Sequence, residues 1–171
     1  MSALPADDAA PDLLVLTTGG TIDKLYFDAL SEYQIGDSVV DRILRTALMA
    51  LPWRTVELMR KDSLELTDAD RATIATAVAD APETRIVITH GTDTMTDTAQ
   101  ALGGIAGKTI VLVGALAPAR FADSDATFNL GMAIAAVQVA PAGVHIAMNG
   151  TIFAGDRVRK DRAAHRFVTL D

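Results

Sequence analysis

The sequence predicts an α/β fold, a three-layer, mostly parallel sheet with helices on both faces. Two observations predict it. Short runs of consecutive aliphatics at residues 13–16, 86–88 and 110–113 leave no polar face, so such strands must be covered on both sides. Segments with helical spacing of apolar residues separate these runs, and strands alternating with helices imply parallel pairing.

The elements follow in order. Residues 1–11, with Pro5 and Pro11, read as a frayed arm, and 12–171 as a single domain. Leu13-Leu14-Val15-Leu16 is the first strand. Residues 23–36 form the longest stretch without clear periodicity, read as a functional loop. Over 37–50, Val39, Val40, Ile43, Leu44, Ala47 and Leu48 make a helical stripe with Asp37 as N-cap. Residues 53–59 supply another strand. Thr67-Asp68-Ala69-Asp70 is a capping pattern that opens a helix running to about residue 80. A third helix over 96–102 stops at Gly103-Gly104, and a fourth over 125–139 stops before Pro141. On that fourth helix Met132, Ile134 and Val137 read as core. Residues 144–148 and 151–154 flank Asn149-Gly150, the signature of a type I′ hairpin.

Composition narrows the function. Of 171 residues, 50% are hydrophobic and 22% charged, which excludes disorder. Fifteen basic against 22 acidic residues give a net charge of −7, which argues against nucleic-acid binding by bulk charge. The absence of cysteine removes disulfides, thiolate metal sites and a thiol nucleophile. Apolar runs fall far short of the ~18 residues of a membrane span, and Asp7 and Asp8 interrupt any leader pattern. The chain therefore reads as a soluble, cytoplasmic domain. His90, His145 and His165 lack metal-ligand spacing, so no catalytic metal is expected. The basic run Arg157, Arg159, Lys160, Arg162 and Arg166 reads as a solvated face or a subunit contact.

Two turns carry the chemistry. One strand runs into Thr17-Thr18-Gly19-Gly20-Thr21 and a later one into Thr89-His90-Gly91-Thr92-Asp93-Thr94. In open parallel sheets, ligands bind beyond the strands' carboxyl ends where strand order reverses, so the turns are expected to face one another there. Glycine lets backbone N–H groups approach a substrate closely, and neighbouring hydroxyls can attack a carbonyl. Neither turn matches the dinucleotide or P-loop fingerprint, and Asp93 would repel a phosphate. Each turn taken alone also reads as a left-handed turn with threonines capping element ends.

Thr18-Gly-Gly-Thr21-Ile and His90-Gly-Thr92-Asp93-Thr-Met resemble the two signature motifs of bacterial-type L-asparaginases. Further resemblances follow in the same order: Asp62-Ser63 before a Leu-Thr-Asp helix start, Val113-Gly114-Ala115 after a strand, and Lys160 in a polar stretch after the hairpin. The resemblance implies the fold of that family's N-terminal domain and an amidohydrolase with a threonine nucleophile and no cofactor. It gives Thr21 as first nucleophile and Thr92, Asp93 and Lys160 as a second set in which lysine and aspartate polarise a hydroxyl. It assigns Ser63 and Asp93 to the substrate's α-carboxylate and α-amino groups, with Gly20, Asp62, Gly91, Thr92 and Ala115 beside them. A zwitterionic amino acid does need a carboxylate for its ammonium and hydroxyl or N–H donors for its carboxylate. The Thr92 N–H is the candidate oxyanion donor. Tyr26 and Tyr33 fall in the 23–36 segment, expected to act as a lid, and one of them is expected to reach Thr21. His90 is expected to shape its turn rather than transfer protons.

The chain resembles a short form of the family, without its usual second domain. The expected reaction is hydrolysis of L-asparagine to L-aspartate and ammonia. Two alternatives stand beside it: a non-catalytic amino-acid-binding module, and an amidohydrolase for another small amide such as glutamine. Exposed apolar surface favours self-association, so a homo-oligomer (dimer or tetramer) built from C2 dimers is expected, with its interface near the lid.

Overall fold

The computed structural model describes residues 12–27 and 32–170. The arm expected over 1–11 lies outside them. In chain order the elements are β1 (Leu13–Gly19), β2 (Lys24–Phe27), β3 (Glu32–Ile35), α1 (Val40–Thr46), β4 (Trp53–Lys61), α2 (Asp68–Asp80), β5 (Arg85–Thr89), α3 (Met95–Leu102), β6 (Thr109–Val113), α4 (Ala126–Val139), β7 (Gly143–Met148), β8 (Thr151–Ala154), β9 (Val158–Asp161) and β10 (Arg166–Thr169).

Six strands form one sheet in the order β4-β1-β5-β6-β7-β8, parallel except for the last. Alternation along the central strands sends side chains to two cores. Leu14, Leu16, Ile86, Ile88, Ile110 and Leu112 pack with Ile74 and Val78 of α2 and Met95, Ala99 and Leu102 of α3. Leu13, Val15, Val87, Val111 and Val113 pack on the opposite face with Val40 and Leu44 of α1 and Leu130, Ala133 and Val137 of α4. Each fully buried Leu or Ile contributes about 1.5–3 kcal/mol, which is why continuous aliphatic runs fold here rather than at an edge. The three-layer α/β expectation holds.

From β1 the chain moves outward to β4, then returns to the other side of β1 as β5. Strand order therefore reverses between β1 and β5, and the crevice of such a sheet lies at their carboxyl ends.

Two local expectations are corrected. The helix expected over 37–50 is confined to Val40–Thr46, and Asp37 does not cap it: the Ser38 hydroxyl accepts from Val40 N–H, and the Asp37 carboxylate instead lies 2.7 Å from Arg60 Nη2. Leu48, at φ 51°, turns the chain out of the helix. The 23–36 segment is no irregular loop but an antiparallel ribbon of β2 and β3, pairing Tyr26 with Tyr33, with residues 28–31 outside the described set. Lys160 lies on β9, paired with Phe167 of β10. The α2 capping box forms as expected between Thr67 and Asp70. The Asn149-Gly150 turn has both residues at positive φ, as a type I′ hairpin requires.

Candidate functional site

The turn after β1 exists because two glycines allow it. Gly20, at φ 87° and ψ −174°, adopts a conformation essentially reserved for glycine. A Cβ there would lie 2.5 Å from the Gly91 nitrogen. The two glycine turns thus touch, backbone against backbone. Thr18 Oγ1 donates to the Thr89 carbonyl at 2.9 Å and ties the two strand ends together. Thr21 follows on a single 3-10 turn, Thr21–Asp23, half-buried at the crevice.

The second turn is held from several sides. His90 is fully buried; its Nδ1 lies 2.7 Å from the Gly91 carbonyl and its Nε2 2.8 Å from Thr98 Oγ1. A carbonyl only accepts, so Nδ1 carries the proton and Nε2 accepts from the threonine hydroxyl. Burial pushes the imidazole pKa down to about 4, so the ring is neutral and shapes the turn. Ser63, 1% exposed, sits against Gly91, where a Cβ would come within 2.6 Å of the serine's own. Its Oγ accepts from Asp93 N–H at 3.3 Å, and its carbonyl accepts from Thr94 Oγ1 at 2.7 Å. The serine's own proton is left for another acceptor.

Lys160 reaches this turn from β9. Its ammonium donates to Thr92 Oγ1 at 2.7 Å and to Asp93 Oδ1 at 2.8 Å. Cation, hydroxyl and carboxylate therefore meet at one point, and a cation beside a hydroxyl favours the alkoxide. The lysine side chain is 15% exposed, so solvent screens it only in part.

Asp62 caps the 3-10 turn Ser63–Glu65 through Leu64 N–H, and Lys24 of the ribbon pairs with it at 2.8 Å. Partial burial raises the Asp62 carboxyl, but the Lys24 ammonium and the Leu64 N–H outweigh that and hold it below its ordinary pKa. A cavity of about 630 Å³ opens here, with Lys24, Tyr33, Arg60, Asp62, Leu64 and Asp93 in its walls. Ala115 is buried beside Ile22 and Val39.

The structure brings together Ser63, Gly91, Thr92, Asp93 and Lys160, with Asp62 next to Ser63 and the turn of Gly20 and Thr21 packed against Gly91. The tyrosines lie outside this cluster, although Tyr33 lines the cavity wall. Tyr26 and Tyr33 are half-exposed, stacked edge to face 5.6 Å apart, with Phe121 6.0 Å from Tyr33. Among the described contacts neither phenol hydrogen-bonds to Thr21. Sequence reasoning missed Lys24, Asp125, Asn129 and Arg162. Arg162 Nε lies 3.7 Å from Asp93 Oδ1, so the basic run is not wholly solvated. Asp125 and Asn129 carried a signal, an acid and an amide four apart on a helix, but Asp125 reads most simply as a helix boundary.

Reversed strand order, two apposed threonine turns and a lysine spanning one of them define an α/β protein with a hydroxyl-rich site at the sheet's carboxyl edge. The chain belongs to the asparaginase family: residues 12–168 match the family model described as Asparaginase, N-terminal. L-asparaginase 2 of Escherichia coli is 33% identical over 163 residues, covering 89% of this chain and 47% of that protein. A glutaminase-asparaginase of Acinetobacter glutaminasificans is 29% identical, covering 90% and 51%. The solved structure of the thermostable L-asparaginase from Thermococcus kodakarensis superposes with a TM-score of 0.79 at 30% identity, over 92% of this chain and 50% of that one. The chain thus spans about half the length of the curated relatives it matches.

Proposed function

We propose that this chain hydrolyses L-asparagine to L-aspartate and ammonia. Thr21 Oγ attacks the side-chain amide carbon and gives up its proton, the C–N bond breaks, and the leaving nitrogen takes up that proton and departs as ammonia. Water then attacks the acyl-threonine and releases aspartate. Lys160 and Asp93 polarise Thr92 Oγ1, and the Thr92 N–H serves the oxyanion. Asp93 accepts the substrate's ammonium, Ser63 donates to its carboxylate, and the ribbon carrying Tyr33 covers the site.

The observation that carries this reading is the Lys160 ammonium shared between Thr92 Oγ1 and Asp93 Oδ1, on a turn whose glycine abuts the turn of Thr21. Among the described residues no group of three or more His, Asp or Glu side chains is placed to hold a metal ion.

Ammonia release from a panel of small amides tests it. Asparagine should be hydrolysed, and Thr21→Val and Thr92→Val should each lose on the order of 10²-fold or more in rate. Wild-type rates in both variants would overturn the mechanism. A second reading follows from the chain's coverage of only half its relatives' length: an amino-acid-binding module without turnover. Thermal stabilisation by asparagine with no ammonia from any amide would establish that reading instead. Ammonia from glutamine rather than asparagine would change the substrate and keep the site.

A further inference from the structure

The connection from β6 to α4 touches both threonine turns, through Gly114 at one end and through Ala119 and Arg120 at the other. At its near end, Gly114 packs so closely on the second turn that a Cβ would collide with the His90 carbonyl and come within 3.2 Å of Thr92 Cγ2. That glycine is held by helix α4. Buried Asn129 donates through Nδ2 to the Gly114 carbonyl at 3.0 Å and to Asp125 Oδ2 at 2.8 Å. The Asp125 carboxylate in turn accepts from Leu116 N–H and Ala117 N–H, all at 3.0 Å.

At the far end, the same connection grips the first turn. Ala119 N–H donates to the Ile22 carbonyl at 3.1 Å. The Arg120 guanidinium donates through Nη1 to the Asp23 carbonyl at 3.1 Å and through Nη2 to the Asp37 carbonyl at 3.0 Å. Those carbonyls lie at the two feet of the β2–β3 ribbon. Between the ends, Ala115, Ile22, Val39 and Ala126 form a small sealed core.

We infer that residues 114–125 act as a strut that sets the spacing between the Thr21 and Thr92 turns, with Asp125 and Arg120 as its positioning residues. Neither touches Thr21, Thr92 or Lys160 through any described hydrogen bond. Each fixes one end of a segment whose other end bears on a threonine turn. A short segment with multiple hydrogen bonds at both ends and a packed middle transmits a displacement instead of absorbing it, and coupling of this kind must be demonstrated rather than assumed from proximity. The inference rests on the asparaginase reading for its kinetic consequences only.

The test uses Asp125→Asn, which exchanges one acceptor oxygen for a donor, and Arg120→Met, which keeps the stem and removes both donors. Hydrogen exchange reports on four amides. Gly20 and Asp23 pair with the Lys61 and Gly20 carbonyls, while His90 and Asp93 pair with the Val113 carbonyl and the Ser63 hydroxyl. With both proteins still folded, Asp125→Asn should speed exchange at Gly20 and Asp23, and Arg120→Met at His90 and Asp93, each about tenfold and at the end remote from the change. On asparagine, Arg120→Met should act mainly on KM and Asp125→Asn mainly on kcat, each about tenfold, with Arg120→Lys restoring part of the loss. If exchange accelerates only at the end that carries the substitution, the strut is wrong even in an active enzyme. If the remote amides respond but wild-type chain releases no ammonia, the strut stands and the asparaginase reading falls. Should Asp125→Asn unfold the chain, the Arg120 pair decides alone.

Discussion

Lys160 and Thr92 lie 68 positions apart and meet at 2.7 Å, with Asp93 Oδ1 2.8 Å from the same ammonium. The β9–β10 ribbon makes the meeting possible: Phe167, paired with Lys160 in register, is buried in the main core. Its neighbour on β9 is thereby carried up to the second threonine turn.

Lys160→Met keeps the stem and deletes the ammonium. Under the proposed mechanism activity should fall by on the order of 10²-fold or more, because the ammonium aimed at the Thr92 hydroxyl is the kind of fixed charge that contributes most to stabilising a transition state. Stability should move by no more than about 1 kcal/mol, since Asp93 is one-third exposed and can be solvated. Steady-state ammonia release beside a thermal melt separates the two. A melt that collapses along with activity would make the lysine structural.

Gly20→Ala should be far more damaging than its size suggests. The residue sits at φ 87°, and an added methyl would press on the Gly91 nitrogen. Strain of this kind costs about 1–3 kcal/mol, and relief would separate the turns, so activity should fall further than stability. Gly104→Ala is the matched control, with open space around it and ordinary backbone. Urea unfolding of both variants measures the contrast, and equal stability losses would contradict it.

The cavity chooses between the two tyrosines. Tyr33 forms part of its wall, whereas Tyr26 does not. Tyr33→Phe preserves the stacking with Tyr26 and Phe121 but removes the phenol, so it should reduce kcat/KM for asparagine more than Tyr26→Phe does. The reverse ranking, read from initial rates, would overturn the preference for Tyr33.

Much of this was legible in the sequence. Aliphatic runs such as 110–113 specify strands by burial on both faces, and the glycine-threonine turns announce themselves by composition. Residues 23–36 hid a ribbon because Tyr26, Phe27 and Tyr33 are exposed, so no apolar alternation marks its strands. The Asp37–Ser38 region offered several capping groups, and tertiary contacts chose among them: Asp23 Oδ1 takes the Val39 N–H at 2.9 Å, while Asp37 is drawn off by Arg60. Arg120 was illegible for a different reason. Its partners are backbone carbonyls 83 and 97 positions away, and carbonyls leave no trace in residue identity.

Asp23 and His90 predict an unusual pH response. Burial pushes the Asp23 carboxyl up to about 6, against the lowering effects of Val39 N–H and Arg120, and pushes the His90 imidazole down to about 4. Below pH 6 native Asp23 holds a proton that the unfolded chain has released, so acidification towards 4 strengthens the fold. Below pH 6.5 the unfolded chain protonates its histidine while native His90 stays neutral, so acidification weakens the fold. Each effect is on the order of 1–2 kcal/mol by pH 5, and the two oppose one another. Their contributions to the wild-type stability should therefore nearly cancel between pH 6.5 and 5. Asp23→Asn removes the gain and keeps an acceptor for Val39, so this variant should be more stable than wild type at pH 7.5 and lose stability steadily on acidification. His90→Gln should start less stable and gain as the pH falls. Urea unfolding at pH 7.5, 6 and 5 gives the three slopes, and parallel slopes would show that neither group titrates as its burial dictates.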